Sequence, residues 1–265
     1  MTANVTELPR GATLDQGDGS AVLLLHGTAP GTTATANFER LVPALSGYRV
    51  LAPDLLGFGA SPKPAHLDYG PVLWARQAFA LLEERGIDRV VVVGNSMGAR
   101  VALTMAIEQP EKVRGLVLLS TRMTRTTHPA QMLLREYTPS MEAMEELIRE
   151  CFVVDDSLVT PELVRRRYED SARPGAHTAM QKIFSALAAS GACLSTEQLR
   201  QVQAPALLLH GRQDKIVPAE DGVLLAQALP QADVHLLAGT GHWLQIERAD
   251  LVNTLIRGYL DRCPL

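Results

Sequence analysis

The chain has 265 residues, a formal net charge of −4 and a pI of about 6.0. Without a basic stripe it is not expected to bind nucleic acid, and no apolar run approaches the length of a membrane span. The cysteines Cys151, Cys193 and Cys263 are too few and too widely spaced for a disulfide framework or a zinc cluster. Residues 1–19 lack the basic start and apolar stretch of a secretory signal, which predicts a cytoplasmic protein.

Short apolar runs alternate with helix-length segments along most of the chain. The runs are rich in valine and leucine, as strands buried on both faces of a parallel sheet are. The alternation predicts an α/β fold with a mostly parallel, doubly wound sheet. The first twenty residues are short for opening antiparallel strands, so a trimmed edge is expected. The predicted strands are 21–25, 49–52, 90–93, 116–119, 206–209 and 234–237, and the predicted helices are 38–45, 72–85, 97–109, 222–228 and 251–260.

One stretch, residues 121–203, interrupts the alternation. It shows no strand, and segments 141–152 and 161–170 read as helices, with Thr160 as an N-cap before Pro161. Its regular apolar content disfavours a disordered loop. The sequence therefore predicts a core formed by 1–120 and 204–265, with 121–203 inserted as a helical lid.

The pentapeptide Gly94-Asn95-Ser96-Met97-Gly98 stands between the predicted strand 90–93 and a predicted helix. A Gly-x-Ser-x-Gly pattern in this context places the serine on a sharp strand-to-helix turn, with its hydroxyl exposed. The glycines relieve crowding where a Cβ would meet neighbouring backbone. Alone the pattern is weak, but its position predicts that Ser96 is a nucleophile.

An acid and a histidine follow in the order that such a nucleophile requires. Asp214 comes just after the predicted strand 206–209, and His242 just after 234–237. Serine, then acid, then histidine is the chain order of α/β-hydrolases. We therefore predict that His242 takes the proton of Ser96 while Asp214 fixes the imidazole tautomer and stabilises its cation.

The developing negative charge of the reaction needs hydrogen-bond donors. The amide of Met97 and that of Thr28, in the loop after the first predicted strand, are the predicted oxyanion hole. His26 is interpreted as a brace for that loop and His210 as a structural residue at a strand end. The remaining histidines show no metal-ligand spacing, so no metal is assigned; they are His66, His128, His177 and His235.

Several stretches together resemble the meta-cleavage product hydrolases, which split carbon–carbon bonds in ring-fission products of aromatic compounds. The resemblance covers most of the chain, and Asn37, Asn95 and Trp243 are among its more selective positions. The matching stretches are 26–31, 36–38, 52–59, 94–98, 137–140, 163–169 and 241–247.

The resemblance implies a substrate class and a set of binding residues. The family's substrates are 2-hydroxy-6-oxo-dienoates, whose carboxylate suits a planar guanidinium. A lid arginine fifteen residues after a pocket phenylalanine is matched by Arg167 and Phe152. Arg165 and Arg166 adjoin Arg167, and such a run is also typical of a solvated helix face. Asn95 and Trp243 would flank the dienoate and Asn37 would bond near its carboxylate, although Trp243 also fits simple packing.

The resemblance implies a stepwise hydrolysis without a cofactor. The bound enol ketonises, Ser96 attacks the distal ketone, the C–C bond breaks to release a 2-hydroxypentadienoate, and water clears the acyl-enzyme. The low aromatic content, 5%, predicts an aliphatic pocket. Its predicted lining includes Met132, Leu133, Met144 and Leu147.

The chain also departs from the family pattern. Ala29 stands where a glycine is usual, and Ala99-Arg100 replaces a second glycine and a small residue. Segment 120–128, with Arg122 and Arg125, is more basic than the family's glycine-rich stretch. These departures leave room for a smaller, more anionic or different substrate.

Two alternative functions remain open at this point. A carboxylesterase, lactonase or thioesterase, including one in a biosynthetic pathway, would keep the triad and not depend on Arg167. A lyase or a binding receptor of the same fold would need no acyl-enzyme. The expected partner is a small-molecule substrate, and homo-oligomers are common among such enzymes although no interface is readable.

Overall fold

A computed structural model describes residues 8–124, 128–190 and 193–263. Seven strands form one sheet in the order β1-β3-β2-β4-β5-β6-β7, with β1 antiparallel to β3 and every other pair parallel. This confirms the predicted mostly parallel sheet, in which the short strand β1 lies antiparallel at one edge. The strands are β1 (Thr13–Gln16), β2 (Ser20–Leu25), β3 (Tyr48–Pro53), β4 (Val90–Asn95), β5 (Val113–Leu119), β6 (Ala206–Gly211) and β7 (Ala232–Leu237).

Two apolar cores cover the two faces of the sheet. Because side chains alternate along a strand, Val90 and Val92 join one core while Val91 and Val93 join the other. The elements packed on the sheet are α1 (Ala34–Phe38), α2 (Pro71–Glu84), α3 (Met97–Glu108), α9 (Ala219–Ala228), α10 (Leu244–Glu247) and α11 (Ala249–Leu260).

Helices fill the chain between β5 and β6. They are α4 (Ala130–Glu136), α5 (Met141–Leu147), α6 (Pro161–Ser171), α7 (Ala176–Ser190) and α8 (Thr196–Leu199). As expected, Thr160 caps α6 by accepting a hydrogen bond from the amide of Leu163. A third core includes Met144, Leu147 and Phe152, and packs this insertion against Trp243.

Two predicted helices differ from the observed elements. Segment 38–45 is divided into α1, which ends at Phe38, and a 3₁₀ turn over Val42–Leu45, because Pro43 lacks the amide that a continuous helix would use. The predicted helix 141–152 changes after Leu147 into a π-helical turn, Ile148–Phe152. Such turns are frequent at functional sites.

A pair of helical glycines offers a matched test of the packing at the strand-to-helix turn. A Cβ on Gly98 would collide with the carbonyl oxygens of Leu25 and His26, whereas one on Gly258 would meet only the Arg262 Nη1 atom, at 3.6 Å. Gly98→Ala is therefore expected to destabilise the protein by about 2 kcal/mol, while Gly258→Ala should stabilise it by about 0.5–1 kcal/mol. Urea unfolding measures both, and a shift of the same sign in the two variants would contradict this account.

Candidate active site

Ser96 occupies a strained turn between β4 and α3. Its φ of 54° and ψ of −111° lie in a region that side chains seldom adopt. The amide of Ser96 donates to the carbonyl oxygen of Leu119 at 2.7 Å, which anchors the turn to β5. The glycines on either side fit because a Cβ on Gly94 would meet the backbone of Ala99 and one on Gly98 that of Leu25. The turn therefore presents the hydroxyl at the carboxyl edge of the sheet, as a nucleophile requires.

Asp214 and His242 follow β6 and β7 at the same edge and contact each other. The Nδ1 atom of His242 lies 2.7 Å from Asp214 Oδ2, and the Asp214 side chain is fully buried. The other carboxylate oxygen accepts hydrogen bonds from the amides of Ile216 and Val217, each at 2.8 Å. An acceptor facing Nδ1 keeps the proton on that nitrogen and leaves Nε2 free to act as a base.

Asp214 is also flanked by a second histidine, His210. Burial alone would raise the pKa of Asp214, but the charges of His242 and His210 and their hydrogen bonds outweigh it and hold that pKa well below its ordinary range. The Nε2 atom of His210 donates to the carbonyl oxygen of Val217 at 3.0 Å and lies 3.4 Å from Asp214 Oδ2. His210 thus has more than a strand-end role, because it helps to keep the carboxylate ionised.

The loop after β2 approaches the nucleophile and is braced by His26. The Nε2 atom of His26 accepts from the amide of Leu55 at 2.9 Å, and its Nδ1 atom donates to the carbonyl oxygen of Gly27 at 2.8 Å. Burial, as the largest cause, lowers the pKa of His26, so the ring stays neutral in this role. The predicted bracing function agrees with these contacts.

Thr28 and Met97, the predicted oxyanion-hole residues, line the same cavity as Ser96. The amide of Thr28 has no hydrogen-bond partner among the described residues. Met97 is the first residue of α3, where an amide has no acceptor inside the helix. Both amides are therefore available to an oxygen bound at Ser96.

Three of the predicted substrate-binding side chains form a stack next to His242. The ring of Phe152 lies parallel to that of Trp243, with centroids 4.4 Å apart, and the Arg167 guanidinium carbon lies 4.2 Å from the Trp243 centroid. The Phe152 and His242 centroids are 6.0 Å apart. The stack therefore joins Arg167 to His242, and Trp243 has a partner beyond simple packing.

Arg167 differs sharply from the two arginines before it. Arg165 is exposed and Arg166 is half-buried, and both form ion pairs with glutamates, whereas Arg167 is 1% exposed. Its Nη1 atom donates to the Gly31 carbonyl and the Thr32 hydroxyl, but Nε and Nη2 have no partner among the described residues. Burial lowers the pKa of Arg167 to about 10, so the group is charged at neutral pH.

Asn37 and Asn95 are both buried close to this region. Asn37, on α1, is 2% exposed, and its Nδ2 atom lacks a partner in the described part of the chain. Asn95 Nδ2 lies 3.5 Å from the carbonyl oxygen of Leu119, and its Oδ1 faces Gly27. Gln245, on α10, is 1% exposed with both amide atoms unpaired, and sequence reasoning did not single it out. Unpaired buried amides are costly and favour a ligand that completes them.

The cavity beside Ser96 has a volume of about 280 Å³. Its described lining contains none of Asn37, Asn95, Phe152, Arg167 or Trp243, so these residues lie outside the walls of this cavity. The prediction that Met132, Leu133, Met144 and Leu147 line this cavity was wrong. Met132 is 58% exposed, Leu133 borders a different surface depression, and Met144 and Leu147 belong to the core of the insertion. The apolar wall is instead formed by Met97, Leu134, Phe184, Leu187, Ala188 and Ile216.

The basic character that the sequence showed after β5 reaches this cavity. Arg122 and Arg135 line it, and so does Arg100 from the first turn of α3. Arg125 lies outside the described residues. In the sequence, Arg100 stood out only because the family usually has a small residue at this position.

Residues 8–124, 128–190 and 193–263 hold no group of three or more His, Cys, Asp or Glu side chains suited to a metal ion. Within those residues no helix has both the length and the apolarity needed to cross a bilayer.

A parallel sheet that carries a serine turn after β4, an acid after β6 and a histidine after β7 defines an α/β-hydrolase. Residues 22–255 match the model of the alpha/beta hydrolase family. The chain is 36% identical over 251 residues to a 2-hydroxymuconate semialdehyde hydrolase from Pseudomonas sp. strain CF600, covering 93% of this chain and 88% of that one. It is also 36% identical over 239 residues to a 2-hydroxy-6-oxo-2,4-heptadienoate hydrolase from Pseudomonas putida, covering 88% and 86%.

A solved structure agrees with these relatives. The meta-cleavage product hydrolase CumD from Pseudomonas fluorescens IP01, a serine-to-alanine mutant complexed with acetates, superimposes with a TM-score of 0.90 at 33% identity, covering 95% of this chain and 94% of that one. The chain belongs to the alpha/beta hydrolase family and, within it, to the meta-cleavage product hydrolases. The predicted fold and family are thereby confirmed.

Proposed function

We propose that the protein hydrolyses the C–C bond of a 2-hydroxy-6-oxo-dienoate produced by ring cleavage of an aromatic compound. The observation that carries this proposal is the buried Arg167, whose Nε and Nη2 donors have no partner among the described residues and whose guanidinium stacks on Trp243 beside the triad. A buried charge with unpaired hydrogen-bond donors is costly and is retained where a ligand supplies the acceptors. A dienoate carboxylate matches that requirement.

Substrate recognition is assigned to the residues around Arg167. Arg167 binds the carboxylate, and the unpaired Asn37 amide donates next to it. The faces of Trp243 are covered by Phe152 and Arg167, so Trp243 flanks the planar dienoate with the edge of its ring, and Asn95 borders it next to Ser96. The distal ketone then lies at Ser96, under the amides of Thr28 and Met97.

The chemistry follows from that placement. The bound enol ketonises by gaining a proton on the carbon that will leave, so that the leaving group becomes a stabilised dienol. Ser96 loses its proton to His242 and attacks the distal ketone, and the tetrahedral oxyanion is held by Thr28 and Met97. The C–C bond breaks, and the proton held by His242 passes to the departing dienolate, which leaves as a 2-hydroxypentadienoate and returns His242 to its neutral form. Water, deprotonated by His242, then releases the acyl group as a carboxylic acid.

An ester, lactone or thioester hydrolase uses the same triad and is the alternative reading. Such substrates provide a good leaving group and need neither ketonisation nor a buried cation for a carboxylate. The buried Arg167 would have no role in the hydrolysis of such substrates. A dienoate is therefore preferred as the substrate class.

Replacing Arg167 tests the proposal directly. Arg167→Ala is expected to lower kcat/KM for a 2-hydroxy-6-oxo-dienoate by about 10²- to 10³-fold, since charged hydrogen bonds to the carboxylate are lost. Stopped-flow absorbance of the dienolate band measures turnover, with p-nitrophenyl acetate as a substrate that lacks a carboxylate. The ratio of dienoate to ester hydrolysis should collapse in Arg167→Ala and recover only in part in Arg167→Lys, which lacks the planar fork.

Arg165→Ala is the matched control for this experiment. It removes an exposed arginine of the same helix that pairs with Glu162 and Glu169, and the dienoate-to-ester ratio should stay at its wild-type value. Rapid ester hydrolysis without dienoate turnover would contradict the proposal and indicate an esterase. A dienoate-to-ester ratio that does not change in Arg167→Ala would do the same.

The organisation of the protein follows from the same proposal. The core 1–120 with 204–265 supplies the triad, and the insertion 121–203 acts as a lid that contributes Phe152 and Arg167. The free thiols of Cys151, Cys193 and Cys263 support a reducing, cytoplasmic location.

A further inference from the structure

The cavity beside Ser96 has a basic end that the proposed reaction does not use. Three of its described lining residues are arginines, namely Arg100, Arg122 and Arg135, and none is an aspartate or a glutamate. Arg122 is held in place by a 2.7 Å hydrogen bond from its Nη2 atom to the carbonyl oxygen of Ile216. Arg135 is exposed at the edge of α4. The acyl side of the substrate must occupy this space, because the dienoate carboxylate is assigned to Arg167.

Arg100 is the most unusual of the three. It is only 9% exposed, and its Nε atom is buried without a hydrogen-bond partner. Its side chain makes no ion pair with any residue that the structure describes. Burial, the largest cause, and the nearby charge of Arg122 lower the pKa of Arg100.

A structural role does not account for a cation at this position. Arg100 lies in the first turn of α3, where the positive end of the helix dipole disfavours a positive side chain. It shares the cavity lining with the arginines Arg122 and Arg135 and with no carboxylate, and its Nε atom is buried without a partner. Each of these contributions is unfavourable in the free protein. A bound anion would reverse all of them together.

We infer that the acyl portion of the substrate carries a carboxylate, which the Arg100 guanidinium binds in the cavity beside Ser96, with Arg122 and Arg135 adding to the positive field. The inference rests on the proposed function and deepens it. The acyl-enzyme is then an ester of a dicarboxylic acid through Ser96. Water adds its hydroxyl to the ester carbonyl, Ser96 recovers its proton, and a free dicarboxylate leaves. The volume of about 280 Å³ suits a short carboxyalkyl chain.

Two esters of equal length isolate the contribution of that charge. The 4-nitrophenyl monoester of glutaric acid places a carboxylate at the end of its acyl chain, and 4-nitrophenyl valerate ends in a methyl group. Both acylate Ser96 without needing Arg167, and release of 4-nitrophenol reports both rates. Since the two esters are assayed on one preparation, any loss of folded enzyme cancels in the ratio of their kcat/KM values.

The wild-type enzyme is expected to prefer the glutarate monoester by about 10- to 100-fold, the range of a charge-assisted hydrogen bond. Arg100→Met should reduce the ratio to near one, and Arg100→Lys should retain part of it. Arg165→Ala, a surface substitution in the lid, should keep the wild-type ratio. A wild-type ratio near or below one, or a ratio unaffected by Arg100→Met, would overturn the inference.

The same experiment separates this inference from the proposed function. If dienoates are not cleaved, the C–C hydrolase proposal fails, while the ester ratio still reports whether Arg100 binds a carboxylate. If dienoates are cleaved, the carboxyalkyl dienoate should exceed its alkyl counterpart by a similar factor in wild type and lose that advantage in Arg100→Met.

Discussion

Replacing Ser96 by alanine is expected to lower the rate of dienoate cleavage by about 10⁴-fold or more, the usual cost of losing a serine nucleophile. Binding should persist, because the carboxylate and dienoate contacts are assigned to Arg167 and Trp243 rather than to Ser96. Stopped-flow absorbance should therefore show a bound dienolate or ketone that is not converted to products. A fluorophosphonate should add to wild type, as measured by intact mass, and not to Ser96→Ala.

The backbone at Ser96 gives a second expectation. At φ 54° and ψ −111° any side chain is strained, and only glycine relieves that strain. The free energy of unfolding of Ser96→Gly should therefore exceed that of Ser96→Ala by about 1 kcal/mol, after the entropic cost of glycine, as measured by urea unfolding. Both variants should remain inactive. Equal stability would show that the turn stores no strain.

Ser120→Ala is the control for both measurements. Ser120 follows β5, has a φ of 48° and is fully buried with an unpaired hydroxyl, yet it does not line the cavity. Its replacement should preserve cleavage and labelling. Retained cleavage in Ser96→Ala, or its loss in Ser120→Ala, would contradict the assignment of the nucleophile.

Asp214→Asn is expected to lower kcat by about 10⁴-fold, as the corresponding change does in other triads. The amides of Ile216 and Val217 will keep the asparagine oxygen at the Oδ1 position, since both donate there at 2.8 Å. The amide nitrogen then faces His242 Nδ1, which must become an acceptor. Its proton moves to Nε2, which can no longer accept the proton of Ser96.

This substitution also changes how stability depends on pH. The pKa of Asp214 is lower in the folded protein than its ordinary value of 3.8, so the ionised group stabilises the fold above about pH 4 and that contribution is lost on further acidification. The stability gap between wild type and Asp214→Asn should be widest near neutrality and narrow below pH 4. Urea unfolding from pH 3 to pH 7 measures the gap.

Asp221→Asn provides the matched comparison. Asp221 is also fully buried and accepts hydrogen bonds from two backbone amides, those of Met123 and Thr124. It has no histidine partner among the described residues. Its replacement should cost stability but spare kcat relative to Asp214→Asn. Comparable losses of kcat in the two variants would remove the special role of Asp214.

The sheet and the positions of Ser96, Asp214 and His242 after its strands were predictable from the sequence because each depends on local patterns. Valine-rich runs mark buried strands, and Ser96, Asp214 and His242 each stand just after one of them. The carboxyl ends of parallel strands share one edge, so the order of the strands brings the three residues together. The contact between His210 and Asp214 was not predicted, because it depends on how the chain turns after β6 to bring the two side chains together.

The binding residues were harder to predict because burial is a tertiary property. Arg165, Arg166 and Arg167 look alike in the sequence, and only the packing of α6 on Trp243 decides which one is enclosed. The prediction of the residues that line the pocket failed for the same reason. Met144 and Leu147 are apolar at helical spacing, but the π-helical turn directs that face to Phe152 rather than to the nucleophile.

The backbone of the insertion is fastened to the loop that carries His242. The amide of Trp243 donates to the carbonyl oxygen of Phe152 at 3.0 Å, and Glu247 accepts from the amides of Gly241 and Val154. If this part of the insertion moved outward, it would carry His242 away from Ser96. Substrate and product must therefore pass at another part of the insertion. The helices α4 and α7 border the cavity there, at Leu134 and Phe184. The contacts of Phe152 and Val154 with the loop 241–247 therefore fix the position of His242 relative to the insertion.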